Sequence, residues 1–272
     1  MLGFIGAGSM GSAIVRGVLS TGMFDASSVV ISTGHPEHAT ALAQELHITA
    51  AASNSEVLRL AGPGSIVIIA VKPHLIGGVL DEIRSEAAAQ HTVIVSVAAG
   101  TPLSFLAAHL EPGQPVVRTM PNIAAAVGQS MTAICANEYV ADSQREAVTD
   151  VFRSVGVVIP VAEAHFATFS AIAGCSLAFT YEYIDALARG AVKNGLPKSQ
   201  AVEIATQAVL GAAQLLQSRI PQGATPASLA DSVQSPGGTT VAGVAAMDDA
   251  GFSAAVVRGV QAAVDRDRAL QG

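Results

Sequence analysis

The chain contains no tryptophan, and its three tyrosines and eight phenylalanines hold aromatics to 4% of 272 residues. Charge is scarce as well: 13% of residues are Asp, Glu, Lys or Arg, with a net charge of −7. No basic run or basic helix face stands out, which argues against a nucleic-acid surface. Cysteine is limited to Cys135 and Cys175, too few for a disulfide framework and suited to a reducing cytoplasm. No apolar stretch reaches the roughly 18 uninterrupted residues of a membrane-spanning helix. The first residues carry neither a basic segment nor a cleavage site, so no signal peptide is expected. The seven histidines and two cysteines show no metal-ligand spacing, and no metal is expected. What remains is half hydrophobic, built from Ala, Val, Ile and Gly, enough for a sizeable core with close helix contacts.

Glycine is abundant, and its first cluster is informative. The apolar run Leu2–Ile5 meets Gly6-Ala7-Gly8-Ser9-Met10-Gly11, and a helical pattern follows over 9–21. Such a strand–turn–helix fits a dinucleotide fingerprint. Gly6 permits the tight turn, Gly8 lets a pyrophosphate approach the backbone, and Gly11 lets helix and strand pack closely. The helix N-terminus offers free N–H groups to a phosphate.

Further apolar runs at 28–32, 65–71, 92–97, 115–118, 131–135 and 156–160 predict strands. Helical patterns occupy 36–46 and 54–61, and Pro73 suits the first turn of another helix. This alternation predicts an α/β, Rossmann-type doubly wound sheet over residues 1–161. Ligands of such sheets lie beyond the carboxyl ends of the strands. Ser32 and Thr33 stand where NAD enzymes carry an acid; hydroxyls there suit a 2′-phosphate, so NADPH is expected over NADH, although no Arg accompanies them. Asn54 either caps its helix or touches the adenine end of the cofactor. Val71-Lys72-Pro73, Ala98-Ala99 and Met120-Pro121-Asn122 fall at further strand ends. Lys72 is either solvated or faces the cofactor, and the prolines also serve structure.

After Ala162 strand runs cease. Residues 163–190, 196–218, 226–233, 239–249 and 252–270 read as helices, making 162–272 a second, all-α domain. Its apolar character predicts packing against a second copy. One loop there is unusual: Ser235-Pro236-Gly237-Gly238-Thr239-Thr240 at a helix start. Its backbone N–H groups form a nest suited to a carboxylate; alternatively it is a turn capped by Thr239.

With these motifs in view, the chain resembles the pyrroline-5-carboxylate reductase family over nearly its whole length. GFIGAGSMGSAI at the front, AVKPH at 70–74, VSVAAG at 95–100, RTMPNIAAAVGQSMTAI at 118–134, DALARGAVKNGLPKSQA at 185–201 and SPGGTTVAG at 235–243 carry the resemblance. It implies a Rossmann domain followed by a helical dimerisation domain, and reduction of L-1-pyrroline-5-carboxylate to L-proline by NAD(P)H. It implies that Thr240 hydrogen-bonds the ring nitrogen, with Gly237, Gly238 and Thr239 helping to hold the substrate. Gly6, Ala7, Gly8, Ser9, Met10, Gly11, Ser32, Thr33, Asn54, Val71, Lys72, Pro73, Ala98 and Ala99 would bind the cofactor. A homodimer or higher homo-oligomer is implied. The chain departs from the family pattern at Ala173–Phe179, where Leu177 replaces a proline and Phe179 a tyrosine.

Two other readings compete. A 3-hydroxy-acid dehydrogenase needs a lysine near the opening of the long helix, where Thr180 and Tyr181 stand, with Lys193 several turns on. A cofactor-binding protein without catalysis has no use for the intact SPGGTT loop.

Overall fold

Adjacent residues of each central strand bury against opposite helical layers, which is why the strands read as unbroken apolar runs. The computed structural model describes residues 1–271. In β1 (Leu2–Ile5), Leu2 and Phe4 join one core with Ile14, Val15 and Val18 of α1 (Ser9–Ser20). Ile5 turns to a second core with Val57 and Leu58 of α3 (Asn54–Ala61) and Leu80 and Ile83 of α4 (Ile76–Ala89). β4 (Ile66–Ile69) and β5 (Val93–Ser96) alternate in the same way, with Ile68 and Val95 on the first side and Ile69 and Ile94 on the second. Each such side chain contributes about 1.5–3 kcal/mol by burial. A register slip of one residue would exchange the two sets, so the alternation holds the strands in place.

The remaining elements of the sheet region are β2 (Val29–Ser32), α2 (Pro36–Leu46), β3 (Thr49–Ala50), α5 (Leu103–Ala108), β6 (Val116–Met120), β7 (Ser130–Ala136), α6 (Asp142–Arg153) and β8 (Gly156–Pro160). The strands form one sheet in the order β3-β2-β1-β4-β5-β6-β7-β8. The first six run parallel, β7 is antiparallel to β6, and β8 is parallel to β7. The expected sheet is therefore mostly parallel, with a reversed margin. The cause is connection length. Only Pro121–Gln129 separate β6 from β7, including a short turn of helix at Ile123–Val127, whereas a parallel crossover needs a dozen or more residues. The carboxyl ends of β1, β2, β4, β5 and β6 thus share one edge of the sheet.

Beyond β8 the chain is helical. A 3₁₀ turn at Glu163–His165 leads to α7 (Phe166–Phe169), a π-helical turn at Ser170–Cys175 and α8 (Ser176–Lys193). The single helix expected over 163–190 is thus wound in several ways. Within the π turn the Ala173 carbonyl also accepts Nδ2 of the Asn122 side chain at 2.7 Å. Next come α9 (Lys198–Arg219), α10 (Pro226–Ser232), α11 (Thr239–Asp249) and α12 (Phe252–Gln271).

The chain divides into two compact units, residues 1–174 with 263–272, and residues 175–262. In the second unit the buried apolar residues among those described are all alanines: Ala188, Ala201 and Ala205. Ile204, Leu210, Leu215 and Val257 are exposed. Among the described residues no single helix is long and apolar enough to cross a membrane.

Candidate active site

The turn between β1 and α1 uses its three glycines for three different reasons. Gly6 has φ +96°, and a Cβ there would sit 2.5 Å from the Ala70 carbonyl oxygen. At Gly11 a Cβ would run into the Gly6 carbonyl oxygen, also immobile backbone. Gly8 is the opposite case, with no atom within 4 Å of where its Cβ would be. The first two are demanded by the protein's own packing; the third faces open space. Gly8 is also the residue before α1, and it supplies no side-chain cap. The first helical bond from it is Ser12 N–H to Gly8 O at 2.9 Å. The N–H groups of Ser9, Met10 and Gly11 therefore lack backbone acceptors among the described residues. A bare helix N-terminus beside an open glycine fits a dinucleotide's pyrophosphate.

The other residues expected at the cofactor gather along the same sheet edge. Ser32 ends β2, and Thr33 follows it. Val71 lies just past β4, half-buried and against the Gly6 turn; Lys72 is exposed, and Pro73 opens a 3₁₀ turn into α4. Beyond β5, Ala98 is buried and donates its N–H to Ser96 Oγ at 3.2 Å, while Ala99 is exposed. Asn54 does not cap its helix. That position belongs to Ser53, whose hydroxyl accepts the Glu56 N–H. Asn54 instead joins Ser32 Oγ to its Oδ1 at 2.8 Å and Glu82 Oε2 to its Nδ2 at 2.7 Å. The Ser32 hydroxyl is thus engaged within the protein, and the Thr33 hydroxyl donates to the His35 carbonyl at 2.6 Å. This corrects the expectation that both hydroxyls stand ready to donate. A cavity of about 350 Å³ on the flank of α1 shares only Ser9 with the expected cofactor residues.

In the second unit the Gly-Thr loop is built around two backbone requirements. Gly237 has φ +70°, a left-handed conformation. A Cβ on Gly238 would collide with the Ser235 hydroxyl, and the Gly238 N–H donates to Ser235 O at 2.9 Å. Gly238 is the N-cap of α11; Thr239 is its first helical residue and does not cap it. The first bond of the helix runs from Ala242 N–H to Gly238 O. The N–H groups of Thr239, Thr240 and Val241 are therefore without backbone acceptors among the described residues. Thr239 and Thr240 are exposed, and neither hydroxyl is hydrogen-bonded among the described residues. Three N–H donors and two hydroxyls at a positive helix end have the chemistry that suits a carboxylate.

Two polar side chains escaped the sequence reading because their partners lie far along the chain. Buried Arg118 on β6 places Nη1 2.9 Å from Glu163 Oε1, and its guanidinium lies 4.4 Å from the Phe166 ring centre. The same carboxylate oxygen accepts the Leu103 N–H at the start of α5. Beside this pair, burial first and then the Glu163 charge push the Cys135 thiol up, so it is a poor nucleophile at neutral pH. Asn122 is the third polar group of note, since it ties the end of β6 to the π turn. The departure at Ala173–Phe179 lies across that turn and the start of α8. Cys175 is right-handed helical there, and Leu177 is the second residue of α8, where it keeps an N–H that proline lacks.

Residues 163–270 match the family described as pyrroline-5-carboxylate reductase dimerisation, and residues 1–100 match NADP oxidoreductase coenzyme F420-dependent. The pyrroline-5-carboxylate reductase of Escherichia coli is 35% identical over 269 residues, covering 99% of this chain and 97% of that protein. The 1-pyrroline-5-carboxylate reductase structure from Streptococcus pyogenes superposes with a TM-score of 0.85 at 34% identity, covering 98% of each chain. The Plasmodium falciparum pyrroline carboxylate reductase, solved with NADP bound, has a TM-score of 0.86 at 26% identity, covering 100% of this chain and 98% of that one. Full-length likeness at 35% identity and a dimerisation-domain match over 163–270 lead to one assignment: the chain belongs to the pyrroline-5-carboxylate reductase family.

Proposed function

We propose that the chain reduces L-1-pyrroline-5-carboxylate to L-proline, the last step of proline synthesis, with residues 1–161 holding the dinucleotide and 162–272 holding substrate and joining copies. The observation that carries this is the start of α11, where three free N–H groups and two free hydroxyls meet at a glycine-built turn. The substrate is a cyclic imine bearing a carboxylate. Gly237 and Gly238 shape the turn, and the N–H groups of Thr239, Thr240 and Val241 receive that carboxylate. Thr240 Oγ1 hydrogen-bonds the ring nitrogen and favours its protonated, electrophilic form. A protonated imine needs no base to remove an alcohol proton, so orientation and electrostatics are the main demands on the protein. In the α8 region where a hydroxy-acid dehydrogenase would place its lysine, the Thr180 hydroxyl is engaged by Ser176 O.

The bound nicotinamide supplies the hydride that reaches the imine carbon. The N–H groups of Ser9, Met10 and Gly11 hold its pyrophosphate, and Ala7, Val71, Lys72, Pro73, Ala98 and Ala99 line its path along the sheet edge. NADPH is preferred and NADH usable, because no acid follows β2 and backbone N–H groups remain for a 2′-phosphate. The oligomer is a homodimer or larger, formed through the C-terminal helices, and the compartment is the cytoplasm.

Cofactor oxidation followed by absorbance with pyrroline-5-carboxylate tests the reading. Thr240→Ala is expected to lower kcat roughly a hundredfold while NADPH affinity, measured by fluorescence titration, stays unchanged. Equal losses in both would remove Thr240 from the substrate, and a wild-type protein that binds NADPH without oxidising it would remove the activity.

A further inference from the structure

We infer that Glu82, on α4, sets cofactor choice from behind Asn54, as a positioning residue at the adenosine ribose. The inference rests on the reading that Ser32 and Asn54 line the cofactor. An amide has one donating and one accepting end, and its partners decide which way it faces. The Glu82 carboxylate only accepts, so Asn54 Nδ2 must point at it, at 2.7 Å. Asn54 Oδ1 then faces Ser32, 2.8 Å away, and because Oδ1 only accepts, the Ser32 hydroxyl must donate. Ser32 is the last residue of β2, and its proton is committed to Asn54 by that bond.

The consequence concerns the ribose 2′-position, which meets the end of β2 in sheets of this order. A Ser32 whose proton is committed to Asn54 presents only lone pairs. Lone pairs welcome a 2′-hydroxyl, which can donate, and oppose a 2′-phosphate, which cannot. NAD enzymes usually achieve this with an acid at the end of β2. Here the segment Ser32-Thr33-Gly34-His35 has none, and Glu82 supplies the negative charge and the polarity from another helix. Glu82 thereby keeps NADH usable and restrains the preference for NADPH.

Glu82→Gln separates polarity from size. Glutamine can accept or donate, so Asn54 is free to reverse and the Ser32 proton is released outward. The ratio of kcat/KM for NADPH to that for NADH is expected to rise about threefold to tenfold, the effect of roughly one hydrogen bond. The change should lie in cofactor KM, with kcat and the melting temperature unmoved. A ratio that stays constant or falls overturns the inference. Ser32→Ala and Asn54→Ala tell the two levels apart. If neither changes the KM of either cofactor, the placement of the ribose fails and the inference with it. If they change it and Glu82→Gln does not shift the ratio, only the role of Glu82 fails.

Discussion

Gly8 and Gly11 are three residues apart in one turn, yet an added methyl group would meet opposite surroundings. At Gly11 it meets the Gly6 carbonyl oxygen, which cannot swing aside; at Gly8 it meets nothing within 4 Å. Gly11→Ala should cost about 1–3 kcal/mol of folding stability, read as a lowered midpoint in urea. Gly8→Ala should leave that midpoint in place, since φ −68° and ψ −166° suit alanine, and weaken NADPH binding instead. Fluorescence titration and chemical denaturation on the same two variants check the pair; a stable, fully binding Gly8→Ala would deny the turn its phosphate. The glycine spacing was legible because the left-handed φ of Gly6 and the approach of Gly11 to the Gly6 carbonyl are local, although Gly6 is also pressed by the distant Ala70 carbonyl. Glu82 was not legible, because it acts on a residue 28 positions earlier. Nothing in the sequence around Asn54 announces which way its amide must face.

A similar distance effect governs whole elements. Helix α5 has six residues, and Pro102 before it offers no side-chain cap. Its Leu103 N–H is capped by Glu163, 60 positions later, which also pairs with Arg118 on β6. One carboxylate therefore fastens a helix start, a strand and the 3₁₀ turn that follows β8. Removing it leaves a buried guanidinium without its partner. Glu163→Ala should cost about 2 kcal/mol, less than for a fully buried pair because a third of the Glu163 side chain reaches solvent. Denaturation midpoints of Glu163→Ala and Glu163→Gln check this, with glutamine expected to recover part of the loss by keeping the cap. The strands of the central sheet were readable from their apolar runs alone. Helices α5 and α6 were not: the first is barely more than a turn, and the second buries only Val148, Thr149, Val151 and Phe152 in a polar sequence. The reversed direction of β7 lay in a short connection, which an apolar run cannot express.

At the scale of the molecule, the helical unit has too little interior of its own. Its buried apolar residues among those described are alanines, while large side chains such as Ile204, Leu210 and Val257 lie exposed. The family match to a dimerisation domain over 163–270 indicates a homo-oligomer, and exposed apolar side chains of this kind suit such an interface. Folding and association should then be linked. For a dimer that unfolds to separated chains, each tenfold dilution removes about 1.4 kcal/mol of apparent stability. Melting temperatures measured across a hundredfold concentration range should fall on dilution; a constant value would indicate a monomer that is stable alone.

The two margins of the sheet bear on solubility. One margin is β3, only two residues long; the other is β8, which ends in Pro160 and leaves Val157 half exposed. A short strand offers few unpaired backbone groups, and a proline removes a donor from the row. Neither margin is a ready template for another chain's strand. A protein this rich in Val and Ile carries many segments able to form intermolecular sheets, and its native form withholds both places where growth would begin. Aggregation by strand addition is therefore expected to require unfolding first, however crowded the solution.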